Sequence, residues 1–144
     1  MIIREMIAED LSQLDQLYRQ FWGEESCIET MNKQFNKLHK NNSHIFISAI
    51  ENNKLIGSIM GVICEELYGD CKPFLVLENM IVDKNYRNKG VGKALISELE
   101  KIATKRGCSQ VIFVTERNRV DAVKFYESAG YSSQTHIGFK KKLN

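Results

Sequence analysis

The apolar run PFLVLENMIV (73–82) leads through DKNY into Arg87-Asn88-Lys89-Gly90-Val91-Gly92, and a helical stripe begins directly after it. Two glycines at the mouth of a helix cost conformational entropy, and clustered cations repel one another. That combination is useful where an anion has to be held. A glycine-rich turn opening a helix presents free backbone N–H groups, the helix dipole adds partial positive charge, and the missing Cβ atoms let a phosphate come close. Arg87, Lys89 and Lys93 supply mobile charge around such a nest, with Lys84 just upstream. The spacing predicts an anion cradle suited to a pyrophosphate; the plainer alternative is a solvated basic turn ahead of a surface helix.

Two familiar phosphate loops fail on spacing. In a P-loop, GxxxxGK[ST], Gly92-Lys93 would need a hydroxyl residue next and a glycine five positions before Gly92; the chain has Ala94 and Arg87 there. A dinucleotide turn needs GxGxxG directly after its strand. Here seven residues separate Val82 from Gly90 and the third glycine is absent, although Glu116 ends the next apolar run about where a ribose-binding acid would sit. A nicotinamide-dinucleotide enzyme is the weaker cofactor reading.

The 144 residues fit one domain, 1–144, with a proper core, and a net charge of +2 leaves anion attraction to local clusters and argues against a nucleic-acid binder. Cys27, Cys64, Cys71 and Cys108 form no CxxC pair and no metal-type spacing with His39, His44 or His136, so buried free thiols and no metal are expected. The N-terminus opens into strand-like MIIREM, and the longest apolar stretch, LIGSIMGVIC (55–64), is too short for a bilayer and is broken by Gly57, Ser58 and Gly61. A soluble cytoplasmic protein with no membrane partner is the expectation.

Periodicity predicts a strand at 2–6 and amphipathic helices at 10–21 (Leu11, Leu14, Leu17, Tyr18, Phe21) and 28–38 (Met31, Phe35, Leu38). Strands at 44–51 and 54–64 flank Asn52-Asn53, a tight-turn signal, and 73–82 is a third strand of that region. A helix follows on Val91, Ala94, Leu95, Leu99, Ile102 and Ala103 up to Gly107. VIFVT (111–115) reads as a buried parallel strand, 120–129 as a helix stopped by Gly130, and HIGFKKKL (136–143) as a lysine-rich edge strand. The class is α+β, or mixed α/β, with one strand–helix–strand crossover in the second half.

Arg87-x-x-Gly90-x-Gly92 after a long strand, together with VTERNRVDAVKFYESAGY (114–131), resembles the signature of the GNAT superfamily of acyl-CoA-dependent N-acetyltransferases. The match is close over about 76–131; residues 1–65 agree only in the order of elements. The resemblance implies a central, mostly antiparallel mixed sheet flanked by helices, an acyl-CoA cleft between the fourth and fifth strands, and acetyl-CoA as co-substrate. It implies that the N–H groups of Asn88, Lys89, Gly90, Val91, Gly92 and Lys93 hold the pyrophosphate, with Arg87 and Lys89 reaching its outer oxygens or the 3′-phosphate. The family most often has glycine where this chain has Asn88; backbone donors should make that departure minor.

By the same resemblance Met80, Ile81 and Val82 run beside the pantetheine arm on a strand that commonly bulges, and an N–H near Ile81 or Val82 polarises the thioester carbonyl. A plain buried strand is the alternative. Asn118, Ala122, Phe125 and Tyr126 are spaced for one helical face. The family places Asn118 on the arm's amide, small Ala122 where the arm needs room, and Tyr126 as proton donor to the departing thiolate; without the family, Phe125 and Tyr126 read as core aromatics. Glu78, in an otherwise apolar strand, is either edge-exposed or the base that takes a proton from the acceptor amine, directly or through water. Trp22 and Glu25 (in FWGEES) and Tyr68 (in CEELYGD) would wall a pocket for a cationic amine, or are solvated loop residues. The implied activity is acetyl transfer to a small-molecule or peptide amine by direct attack in a ternary complex, with a homodimer as one open assembly. A non-catalytic CoA-binding module is the alternative.

Overall fold

The computed structural model describes all 144 residues, which divide into two compact units, 1–112 and 113–144. The first unit is built on a five-stranded sheet in the order β1-β2-β3-β4-β5: β1 (Ile2–Glu5), β2 (His44–Glu51), β3 (Lys54–Cys64), β4 (Phe74–Val82) and β5 (Val111–Ile112). The first four strands pair antiparallel and β4–β5 is parallel. Helices α1 (Leu11–Trp22) and α2 (Ile28–His39) lie between β1 and β2, and α3 (Val91–Lys105) makes the crossover from β4 to β5. In the second unit α4 (Val120–Ser128) is the one regular element. This is the mixed, mostly antiparallel sheet with flanking helices that was expected. No helix is long and apolar enough to cross a membrane.

The hairpin turn forms as the sequence predicts, with Asn52 and Asn53 both in the left-handed region at φ 50° and 60°. The expected strand 111–115 is shorter, ending at Ile112, and no strand forms at 136–143. In that tail Ile137, Phe139 and Leu143 are 78%, 93% and 87% exposed, so the apolar alternation buries nothing against which a strand could be held. The four cysteines are free, but none is buried: Cys27 and Cys71 are exposed, Cys64 and Cys108 half-buried. They sit at element ends and in loops, where no apolar neighbour shell closes over a thiol.

Two irregularities set the faces of the sheet. Ala49 and Ile50 of β2 pair with Gly57 and Leu55 of β3, so Ile56 is an extra residue. Ser58 and Met60 of β3 pair with Ile81 and Glu78 of β4, two steps against three, and Asn79 within that gap has φ 49°. Strand residues alternate sides, so each extra residue reverses the face presented beyond it. Leu55 and Ile81 thereby join Met6, Leu11, Leu14, Leu17 and Phe35 in one buried cluster. On the opposite face a Cβ on Gly57 would stand 3.1 Å from the Val91 and Leu95 side chains, and one on Gly61 only 2.6 Å from Leu99. The two glycines make a notch into which α3 settles with Val91, Leu95, Ile96, Leu99 and Ala103 buried. Each large aliphatic side chain so buried contributes about 2 kcal/mol.

Three buried carboxylates tie loops to this frame. Asp10 accepts from both terminal nitrogens of Arg4 (2.7 and 2.8 Å), from Ile7 N–H and from the Ser48 hydroxyl. Asp15 accepts from Ser26 N–H and Arg19, fixing the α1–α2 link. Asp83 accepts from Lys54 Nζ at 2.7 Å and Asn85 N–H at 2.9 Å. Burial pushes Asp10 and Asp83 up, but their cationic and N–H partners outweigh it and hold both below the usual carboxylate range. The Ser26 N–H, then Arg19, does the same for Asp15. Folded values lower than unfolded ones mean stability that is complete above the unfolded value, about 3.9, and is lost as pH falls through the folded values. The melting temperature should therefore hold from pH 7 to about 4.5 and fall steeply below about 4. Asp10→Asn, which strips Arg4 of its carboxylate, should cost about 2 kcal/mol at pH 7 by urea unfolding. A melting temperature that is flat down to pH 2.5 would contradict the assignment.

Candidate functional site

After β4 the chain turns through Asp83, whose N–H donates to Ile56 O at 2.8 Å, and through a single 3-10 turn at Lys84–Tyr86. Arg87 returns to extended geometry, Asn88 takes φ 60°, and Gly90 caps α3 at φ 82°. A Cβ on Gly90 would meet nothing within 4 Å, so glycine is needed here for the left-handed backbone and the space in front stays open. The first bond of α3 runs from Ala94 N–H to Gly90 O. None of the N–H groups from Asn88 to Lys93 donates within the chain. Six successive donors are thus left at the positive end of a fifteen-residue helix.

The charges around them have no carboxylate partner. Lys84, Arg87, Lys89 and Lys93 form no ion pair, and Arg87 only donates from Nε to Val82 O at 3.4 Å. All four side chains are exposed. A net charge of +2 for the whole chain therefore hides a local run of four unneutralised cations beside six unused N–H groups. Such a surface can hold a multiply charged anion.

Behind the turn, β4 carries Glu78, Met80, Ile81 and Val82. The irregularity expected of this strand is present, centred on Asn79. Glu78 lies directly before it, exposed, opposite Met60. Ile81 is buried, and Met80 and Val82 are half-buried. The β4–β5 ladder consists of Leu75–Val111 and Val76–Ile112 alone, so the outer edge of 77–82 has no strand partner.

In the second unit Ala122, Phe125 and Tyr126 are all on α4 and half-buried, whereas Asn118 precedes the helix, whose N-cap is Arg119. Asn118 is thus not on the expected helical face; its carbonyl accepts from Val120 N–H in a tight turn, which starts the helix two residues later. Tyr126 is packed by Phe113 (ring centroids 4.4 Å apart), Phe125 (5.2 Å) and Tyr131 (6.3 Å). Phe113 and Tyr131 as wedges for that ring were not singled out from sequence; the aromatic at the centre of VIFVT was the available signal. Burial raises the Tyr126 phenol above its ordinary value of 10, against a smaller opposing pull from Arg119. It is therefore a neutral O–H at physiological pH.

The acceptor-side residues lie on separate segments, the end of α1, the α1–α2 link and the β3–β4 loop. Trp22, 49% exposed, meets Phe21 and Tyr18 edge-on at 4.8 and 5.2 Å, while burial pushes the Tyr18 phenol up to about 12. Glu25 is held by Arg19 at 2.7 Å, and Arg19 in turn by Asp15. Tyr68 projects from the β3–β4 loop at 85% exposure, its N–H bonded to Glu66.

The acetyltransferase (GNAT) family model matches residues 11–131. The chain is 28% identical over 122 residues to glucosamine 6-phosphate N-acetyltransferase 1 of Dictyostelium discoideum, covering 82% of this chain and 73% of that protein. Across the curated relatives it matches, the chain spans from 30% to 73% of their length. Among solved structures, an Agrobacterium tumefaciens putative acetyltransferase superposes with a TM-score of 0.92 at 23% identity, covering 99% and 100% of the two chains. An aminoglycoside N-acetyltransferase in complex with CoA superposes with a TM-score of 0.82 at 21% identity, covering 99% and 95%. These structural likenesses speak for the fold.

A difference ultraviolet titration of the wild type against Tyr126→Phe should show this phenol ionising above pH 10. A midpoint at or below 10 would show that the ring is not desolvated as described.

Proposed function

The chain belongs to the acetyltransferase (GNAT) family, and we propose that it moves an acetyl group from acetyl-CoA to a primary amine by direct attack in a ternary complex. The observation that carries this reading is the head of α3, with six unused N–H groups and four cations that have no carboxylate partner. Coenzyme A presents a pyrophosphate and a 3′-phosphate, and charge-assisted hydrogen bonds to backbone donors are the strong way to hold them. The CoA complex of the aminoglycoside enzyme of the same fold supports that ligand. The unpaired edge of Met80–Val82 offers main-chain groups to the pantetheine amides and one N–H to the thioester oxygen as charge develops there.

An amine with a pKa near 10 is protonated at neutral pH and must lose a proton before attack. Glu78, exposed beside the irregularity of β4, takes that proton directly or through a water it orients. The amine nitrogen bonds to the acetyl carbon, the carbon–sulfur bond breaks with the thiolate as leaving group, and the nitrogen loses its second proton to solvent to leave the neutral amide. Tyr126, kept neutral by burial, gives its phenolic proton to the sulfur, with Asn118 and Ala122 on the same stretch of chain serving the pantetheine arm. A phenol raised above 10 is a weaker acid than a thiol near 8.5, so complete transfer runs uphill, and hydrogen bonding to the developing thiolate is the larger part of the benefit. The relatives named for glucosamine 6-phosphate and for aminoglycosides support a small polar amine as acceptor, met by Trp22, Glu25 and Tyr68. A single domain in the cytoplasm remains the expected setting.

Thiol release from acetyl-CoA, followed across a panel of amino sugars, aminoglycosides, polyamines and peptide amines, tests the activity; no release above hydrolysis with any amine would refute it. Gly90→Asp puts a carboxylate into the cradle and should weaken CoA binding at least about a hundredfold by calorimetry. Tyr126→Phe should lower kcat about ten- to a hundredfold with little change in CoA affinity. Equal turnover of this variant removes Tyr126 from the chemistry.

A further inference from the structure

Around the turn after β4, Lys89 meets three residues to which the proposed reaction gives no role: Tyr86, Asp83 and, from the β2–β3 hairpin, Lys54. Lys89 Nζ stands 5.1 Å from the centroid of the Tyr86 ring, and Lys54 Nζ, from the β2–β3 hairpin, stands 5.3 Å from the same centroid. Both distances fall within the range in which an ammonium is attracted to a ring face. Lys54 also forms a 2.7 Å ion pair with Asp83, whose side chain is 1% exposed. Asp83 is itself fixed on three further sides, by its own N–H to Ile56 O, by Asn85 N–H to its carboxylate, and by Tyr86 N–H to its carbonyl.

The charges in this cluster are unequal. Lys54 is neutralised by Asp83, so its attraction to the ring adds no net positive charge to the turn. Lys89 has no carboxylate partner, and the Tyr86 ring is the one group that restrains its ammonium. A lysine has four rotatable side-chain bonds, and a free one loses up to about 2 kcal/mol of rotamer entropy when it is fixed on a ligand. A ring that holds the ammonium beside residues 88–93 before any ligand arrives removes part of that cost.

The geometry points to Tyr86 as a positioning residue for the anion site. Its ring, braced by the Lys54–Asp83 pair, holds the Lys89 ammonium ready beside the cradle so that it meets a phosphate of coenzyme A. This rests on the proposed function, since it presumes that the cradle takes coenzyme A. The hydroxyl plays no part in it; the π face does.

The test is a double-mutant cycle on coenzyme A affinity by calorimetry, with melting temperatures recorded for every variant. Tyr86→Phe keeps the ring and should bind as the wild type does. Tyr86→Leu should bind roughly three- to fivefold more weakly, with kcat at saturating acetyl-CoA unchanged. Lys89→Met should bind roughly tenfold more weakly, and adding Tyr86→Leu to it should cost no more than about another 1.5-fold. Full additivity of the two substitutions, or wild-type affinity in Tyr86→Leu, overturns the proposal. So does a loss in Tyr86→Phe equal to that in Tyr86→Leu. A wild type that binds no coenzyme A refutes the proposed function itself, which separates the two failures.

Discussion

The arrangement of the first unit depends on two extra residues, Ile56 in β3 and Asn79 in β4. Each breaks the alternation of its strand near the same end of the sheet and turns what lies beyond to the other face. Without them Leu55 would share a face with Gly57, and Ile81 with Leu77. The cluster under α1 would lose two of its members, and the notch for α3 would be filled from the wrong side. The cost is local, a left-handed Asn79 and a short break in each ladder. The gain is a sheet that is apolar on both faces at that end while β4 still delivers Asp83 to the carbonyl of Ile56.

From that anchor the candidate site follows by short steps. Asp83 is buried, so it has to be fully partnered, and its partners are the groups that define the turn: Lys54, Asn85 N–H and, through its carbonyl, Tyr86 N–H. The turn hands the chain to Gly90 in the one conformation from which α3 can start with its first N–H groups facing outward. The cations of this region divide: Lys54 is paired with the buried Asp83, while Lys84, Arg87, Lys89 and Lys93 have no carboxylate partner.

Much of this was legible in the sequence, because it was written in residue types with few physical alternatives. Asn52-Asn53 between two alternating runs gave the hairpin, and glycines before a helical stripe gave the left-handed turn that opens α3 at Gly90. The irregularity in β4 was expected from family resemblance alone; the letters Glu-Asn-Met fit a regular strand equally well, and only the register reveals three steps against two. Asn118 was placed on a helical face by spacing, but the tight turn ending at Val120 starts α4 too late for it. The thiols were assigned to the interior on the habits of cysteine, yet loop positions such as Cys27 and Cys71 have no shell to bury them. The tail 136–143 has the alternation of a strand and lacks a surface that its apolar side chains cover.

The order of the sheet also bears on how the first unit is acquired. β2, β3 and β4 follow one another in sequence and are neighbours in space, with a two-residue turn between the first pair and a nine-residue loop between the second. The parallel partner that has to return across α3 contributes only two residue pairs. Most ladder contacts therefore close over short stretches of chain, and the entropically expensive crossover is left with little to form. A chain emerging in order can complete the three-stranded meander, both extra residues included, before α3 exists to pack on it. The notch at Gly57 and Gly61 is then a preformed seat, waiting for the helix that Gly90 opens.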